Sequence, residues 1–131
     1  MAKISIPARR QAGTGPAKQL RKMLLIIKAK ASEEVISKVA EDLKGYIKVV
    51  VDVQRKILSA GGKMHVDGER ILLEDGSKQA DVWGGGLDLE TGEVDFDSVI
   101  NLRPGQNNAS REVLDPGIRK QMEAIIHALL R

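Results

Sequence analysis

Apolar and polar positions divide the chain into a succession of short elements. Residues 24–29 form a compact apolar run of strand length. Ser32 then offers a helix N-cap, with Glu33 and Glu34 in the first turn, where carboxylates interact favourably with the helix dipole. Val35, Ile36, Val39, Ala40 and Leu43 fall on one helical face, and Gly45 suits the stop. Residues 46–60 carry two signals. The triplet Val49-Val50-Val51 favours a strand by propensity. Tyr46, Val49, Val50, Val53, Ile57 and Ala60 nevertheless line one helical face, and Gly61-Gly62 resembles a helix end. The length of the stretch decides for a helix.

Residues 63–66 read as a strand. Asp67-Gly68 then either turns a hairpin or leads, with Asp67 as cap, into a short helix ending at Gly76, and the helix is the preferred reading. Residues 82–102 read as a hairpin turning at Thr91-Gly92. Pairing Glu90 with Glu93 puts Leu87 opposite Phe96 and Trp83 opposite Ile100. One face then carries Trp83, Leu87, Leu89, Val94, Phe96, Ile100 and Leu102. The other carries Asp88, Asp95, Asp97, Val99, Asn101 and Arg103 around the bare Gly84 and Gly86. Asp115-Pro116 opens a last helix, cap then proline, with Ile118, Met122, Ile125, Ile126 and Leu129 as its buried stripe. The expected fold is α+β: a small, mostly antiparallel sheet with about three helices packed on one face.

Composition narrows the choices. The chain has 131 residues, enough for one domain. Tyr46, Trp83 and Phe96 are its only aromatics, so the core must be aliphatic and a base-stacking platform is unsupported. Without cysteine, disulfides and thiolate metal sites are excluded. No run reaches the roughly 20 apolar residues of a membrane span, and the expected location is the cytoplasm. The net charge of +3 hides an asymmetry. Residues 1–22 hold six basic side chains and no acidic one, whereas 23–131 carry a net −3. Residues 1–22 therefore read as a basic disordered tail, with Met23 a plausible true start, and 23–131 as a single domain. Any nucleic-acid binding is expected through that tail.

The segments Gly62-Lys63-Met64-His65-Val66-Asp67, Leu73-Glu74-Asp75-Gly76-Ser77-Lys78-Gln79, Asp81-Val82-Trp83-Gly84 and Phe96-Asp97-Ser98-Val99-Ile100-Asn101-Leu102-Arg103-Pro104 follow one another in order. In this the chain resembles a small prokaryotic family known only as a conserved domain of unknown function. The resemblance covers 23–131. It supports that domain boundary and implies no activity, cofactor or partner. Gly84-Gly85-Gly86 is richer in glycine than the family pattern.

Candidate chemistry centres on two sets of residues. Asp97, Asn101 and Arg103 share the polar face of the second hairpin strand, and Gln106, Asn108 and Arg111 follow in a polar loop. Together they suggest a non-catalytic binding surface for an anionic small molecule or a protein partner, Arg103 being suited to bidentate recognition of phosphate or carboxylate. The alternative is a small metal-dependent hydrolase or nuclease. It would use His65, whose charge changes near neutrality, with Asp67, Glu69 or Asp97; His65, Asp67 and Glu69 would be its metal ligands if they alternated along a strand. Gly76-Ser77-Lys78 lacks the spacing of a nucleotide-binding loop. A homo-oligomer formed through an uncovered sheet edge is a further expectation.

Overall fold

The structure, a computed structural model, describes residues 23–131 and the backbone of Ile4–Ser5. The expectations for the rest of the tail, nucleic-acid binding included, lie outside the described residues. The strands are β1 (Ile4–Ser5), β2 (Leu24–Ile27), β3 (Tyr46–Asp52), β4 (Ile57–Gly61), β5 (Val82–Asp88) and β6 (Val94–Asp95). The helices are α1 (Glu33–Val39), α2 (His65–Glu74) and α3 (Pro116–Leu130). All strand pairs are antiparallel, in the order β1-β2-β4-β3-β5-β6. The α+β class and the antiparallel sheet are as expected from sequence.

Locally capped elements form where the sequence places them. Ser32 Oγ accepts the Val35 amide at the start of α1, and the Asp115 side chain accepts from Gly117 and Ile118 at the start of α3. Residues 46–60, expected as a helix, are instead the hairpin β3–β4. Its turn is built by Asp52, whose Oδ1 accepts the amides of Gln54 and Arg55, both at 2.9 Å. Lys56 closes the turn at φ 58° and donates its amide to the Asp52 carbonyl. The helical spacing misled because this hairpin is covered on both faces. Val49, Val50 and Val51 are all almost fully buried, and burial on both faces erases the two-residue alternation of a strand.

The strand expected over 63–66 gives way to the first turn of α2. That helix starts one residue after Met64, which makes no side-chain cap, so Asp67 lies inside the first turn and is not the cap. Its end near Gly76 agrees with the short-helix reading. Helices also cover both faces of the sheet, where one was expected. On one face α1 and α3 bury Val39, Met122 and Ile126 against Ile27, Val51, Leu58 and Leu87. On the other, Ile71 and Leu72 of α2 meet Ile26, Val50, Ile57 and Val82. Gly68 lets α2 come down on β3 and β4, since a Cβ there would collide with the Ser59 hydroxyl and sit 3.1 Å from a Val50 methyl.

The β5–β6 hairpin forms around Thr91-Gly92, but Leu87 faces Val94 and Gly86 faces Asp95, two residues away from the expected register. Asp88 causes the shift by accepting the amides of Glu90 and Thr91, which lengthens the turn. Because the slip is even, each side chain keeps its face. Val94 and Phe96 still pack on the larger core. The pairing stops at Asp95, and residues 99–101, expected as strand, form a 3-10 turn. Tyr46 crosses the bare Gly86 to donate its phenol to Asp95 Oδ2 at 2.5 Å. A Cβ at Gly86 would overlap the Tyr46 ring. Gly86→Ala is therefore expected to lower unfolding free energy by about 1–3 kcal/mol in urea denaturation. In a Tyr46→Ala background the same change should cost much less, whereas equal losses in both backgrounds would show that the Tyr46 ring does not occupy this space.

Candidate functional site

Beyond Asp95 the outer edge of β5 has no strand partner among the described residues, and two side chains take over. Asn101 accepts the Gly84 amide on Oδ1 at 2.8 Å and returns Nδ2 to the Gly84 carbonyl at 2.9 Å. The same Nδ2 lies within hydrogen-bonding distance of the Phe96 and Arg111 carbonyls. One carboxamide thus stands in for a peptide group of a neighbouring strand. Gly84 is required because Ser98 Cβ would lie 2.6 Å from any Cβ placed there. Ser98 in turn accepts the Ile100 amide and caps the 3-10 turn that delivers Asn101.

Arg103 continues the edge. Its Nε donates to the Ile100 carbonyl, Nη1 to the Gln79 carbonyl at 2.8 Å and Nη2 to the Val82 carbonyl. The guanidinium stacks 4.5 Å from the centroid of Trp83, and Gln106 Oε1 is a distant acceptor at 3.5 Å. Burial lowers the Arg103 pKa, and the charge of Glu69 works in the opposite direction. Even so, a guanidinium remains charged throughout the physiological range.

Glu69, on the sheet-facing side of α2, stands with Oε2 at 3.8 Å from Arg103 Nη2. That separation is an ion pair but too long for a hydrogen bond. Glu69 is 9% exposed, and among the described residues its Oε2 has no hydrogen-bond donor. Beside the pair runs a cleft of about 430 Å³ lined by Glu69, Gln79, Val99, Ile100, Leu102, Arg103, Gly105 and Gln106. Val99 and Leu102, exposed at 60% and 50%, form an apolar lip.

The residues singled out from sequence therefore separate. Arg103 and Gln106 line the cleft. Asn101 and Asn108 are buried scaffold; the Asn108 amide donates to the carbonyls of Asn101, Ser110 and Glu112 and accepts from Leu114. Asp97 and Arg111 form an exposed ion pair at 3.3 Å and do not line the cleft. Asn101, expected on the polar face of the second hairpin strand, is instead completely buried. Sequence reasoning missed the contributions of Gln79, Val99 and Leu102. The only signal for Val99 and Leu102 was apolar residues continuing past the point where strand pairing ends, and Gln79 had none.

The expected grouping of His65, Asp67 and Glu69 depended on a strand. On α2, positions two apart point roughly 200° from one another. His65 turns to the sheet, where Nε2 meets the Gly85 carbonyl at 2.7 Å, while Asp67 pairs with Arg70 at 2.9 Å. Among the described residues no group of three or more His, Cys, Asp or Glu side chains is placed to hold a metal ion. The charged groups that act on His65 are Lys48, Asp95 and Asp97. Burial and the Asp95 contact raise the Tyr46 pKa, leaving the phenol protonated.

The fold and this cleft define a small α+β domain with a side-chain-completed sheet edge. Residues 25–129 match the family described as "Protein of unknown function (DUF5674)", and the chain belongs to that family. No curated protein and no solved structure matches it. Among the described residues, no helix is long and apolar enough to cross a membrane.

His65 has a measurable consequence. Burial lowers its pKa from the ordinary 6.5, outweighing the Gly85 carbonyl that favours the charged form. A carbonyl can only accept, so Nε2 carries the proton of the neutral ring. The unfolded chain takes up a second proton more readily than the folded one, so stability is complete above about pH 6.5 and declines as pH falls toward the lowered folded value. Denaturation between about pH 7.5 and 5 should show this slope, and His65→Gln should flatten it. An unchanged slope in the variant would contradict a buried neutral His65.

Proposed function

We propose that this domain is a ligand-binding protein whose site is the cleft between α2 and segment 99–106, with Glu69 as the recognising side chain. The observation that carries this reading is Glu69, a buried carboxylate in the lining of the cleft whose Oε2 has no donor among the described residues. Leaving such an acceptor unsatisfied costs about 1–3 kcal/mol, and folded proteins retain few of them. A ligand that donates to the Glu69 carboxylate lowers that cost on binding. The volume of about 430 Å³ lies within the range of small-molecule sites, and Val99 and Leu102 supply apolar surface to bury.

An anionic ligand, suggested by Arg103 in the sequence, fits this cleft poorly. Most of the Arg103 donors are spent on backbone carbonyls, and an incoming anion would meet the Glu69 carboxylate. Ligand screening by residue-resolved amide NMR is expected to give saturable shifts centred on Glu69, Ile100 and Gly105. Glu69→Ala should weaken binding about tenfold or more, corresponding to roughly 1.4 kcal/mol or above, in a variant whose remaining spectrum is unchanged. Shifts that cluster elsewhere, or binding indifferent to Glu69→Ala, would overturn the assignment.

A further inference from the structure

We infer that the Glu69 cleft selects a neutral amide whose N–H and C=O point the same way, a primary carboxamide or a lactam, carried on an apolar body. This specificity rests on the cleft being the binding site. Arginine has five N–H donors. Four of those on Arg103 are directed at the carbonyls of Ile100, Gln79 and Val82 and at Gln106 Oε1. The remaining Nη2 hydrogen has Glu69 Oε2 as its ion-pair partner, at 3.8 Å. Arg103 and Glu69 both line the cleft, so a donor group and an acceptor group stand side by side there, too far apart to satisfy one another and close enough to be met by a single planar group. An amide of this geometry donates to the Glu69 carboxylate and accepts from the Arg103 guanidinium.

Charge points to the same class. Glu69 and Arg103 sum to zero, so an ammonium attracted to the carboxylate is repelled almost equally by the guanidinium, and a carboxylate meets the reverse. Either ion would lose its hydration without net electrostatic return. A neutral amide gives up far less on entering and finds both its polar atoms matched. The apolar body lies along Val99 and Leu102, whose side chains are exposed at the lip.

Three probes of nearly identical shape isolate the head group: isovaleramide, isopentylamine and isovalerate. Each is titrated into the 131-residue chain and followed through the backbone amides of Glu69, Ile100 and Arg103. Isovaleramide is expected to bind at least tenfold more tightly than the other two. In a Glu69→Leu variant that retains the native spectrum, this preference should disappear. Equal or tighter binding of the amine or the acid at the same amides would overturn the amide specificity while leaving the cleft as the site. If none of the three perturbs those amides, both the specificity and the site are wrong.

Discussion

The carboxamide of Asn101 is the interaction on which the rest of the site depends. It holds both the amide and the carbonyl of Gly84 and lies within hydrogen-bonding distance of the carbonyls of Phe96 and Arg111. It thereby fastens the segment after β6 to the sheet without a strand. Each buried backbone group left unpaired would cost about 1–3 kcal/mol. A domain of this size has only about 5–15 kcal/mol of net stability. Losing several of these bonds together would therefore remove a large part of it. Asn108 extends the arrangement by donating to the Asn101 carbonyl and gathering the chain from Ser110 to Leu114. The cleft follows from this frame, because the turn that presents Val99 and Ile100 is the one that ends in Asn101.

Arg103 shows how a residue's type can point to one role and its surroundings assign another. By chemistry it is an anion receptor. In the fold its fork is turned inward to cap the carbonyls at the end of β5 and to stack on Trp83. This commitment holds the guanidinium just beyond hydrogen-bonding distance of Glu69, so the carboxylate is balanced in charge yet unsatisfied as an acceptor. In the proposed site the recognising group is thus the Glu69 carboxylate, which favours a donor over an anion.

What the sequence revealed follows from how local each signal is. Ser32 and Asp115-Pro116 cap their helices through neighbours two or three residues away, so α1 and α3 were legible. The β3–β4 hairpin was not, because helices on both faces of the sheet bury Val49, Val50 and Val51 alike and remove the alternation that identifies a strand. The placement of Asn101 on a polar strand face extends a two-residue period beyond Asp95, where pairing in fact ends. Nothing nearby in sequence tells that its partners are Gly84 and Arg111. Glu69 is a metal-ligand candidate with His65 and Asp67 on a strand; the helix turns Asp67 away from the other two and brings Glu69 to Arg103. Tyr46 and Asp95 meet only because Gly86 leaves the space between them open.

The most direct test of this account is native-state hydrogen exchange at the Gly84 amide. This group lies on the outer edge of β5, beyond the last residue paired with β6, and its acceptor is a side chain. If Asn101 serves as a permanent strand partner, the Gly84 amide exchanges only on global unfolding, at rates like those of the central β3–β5 pairs. Rapid exchange at Gly84, with the β3–β5 amides still protected, would mean that the edge opens freely and that Asn101 does not hold the cleft in place.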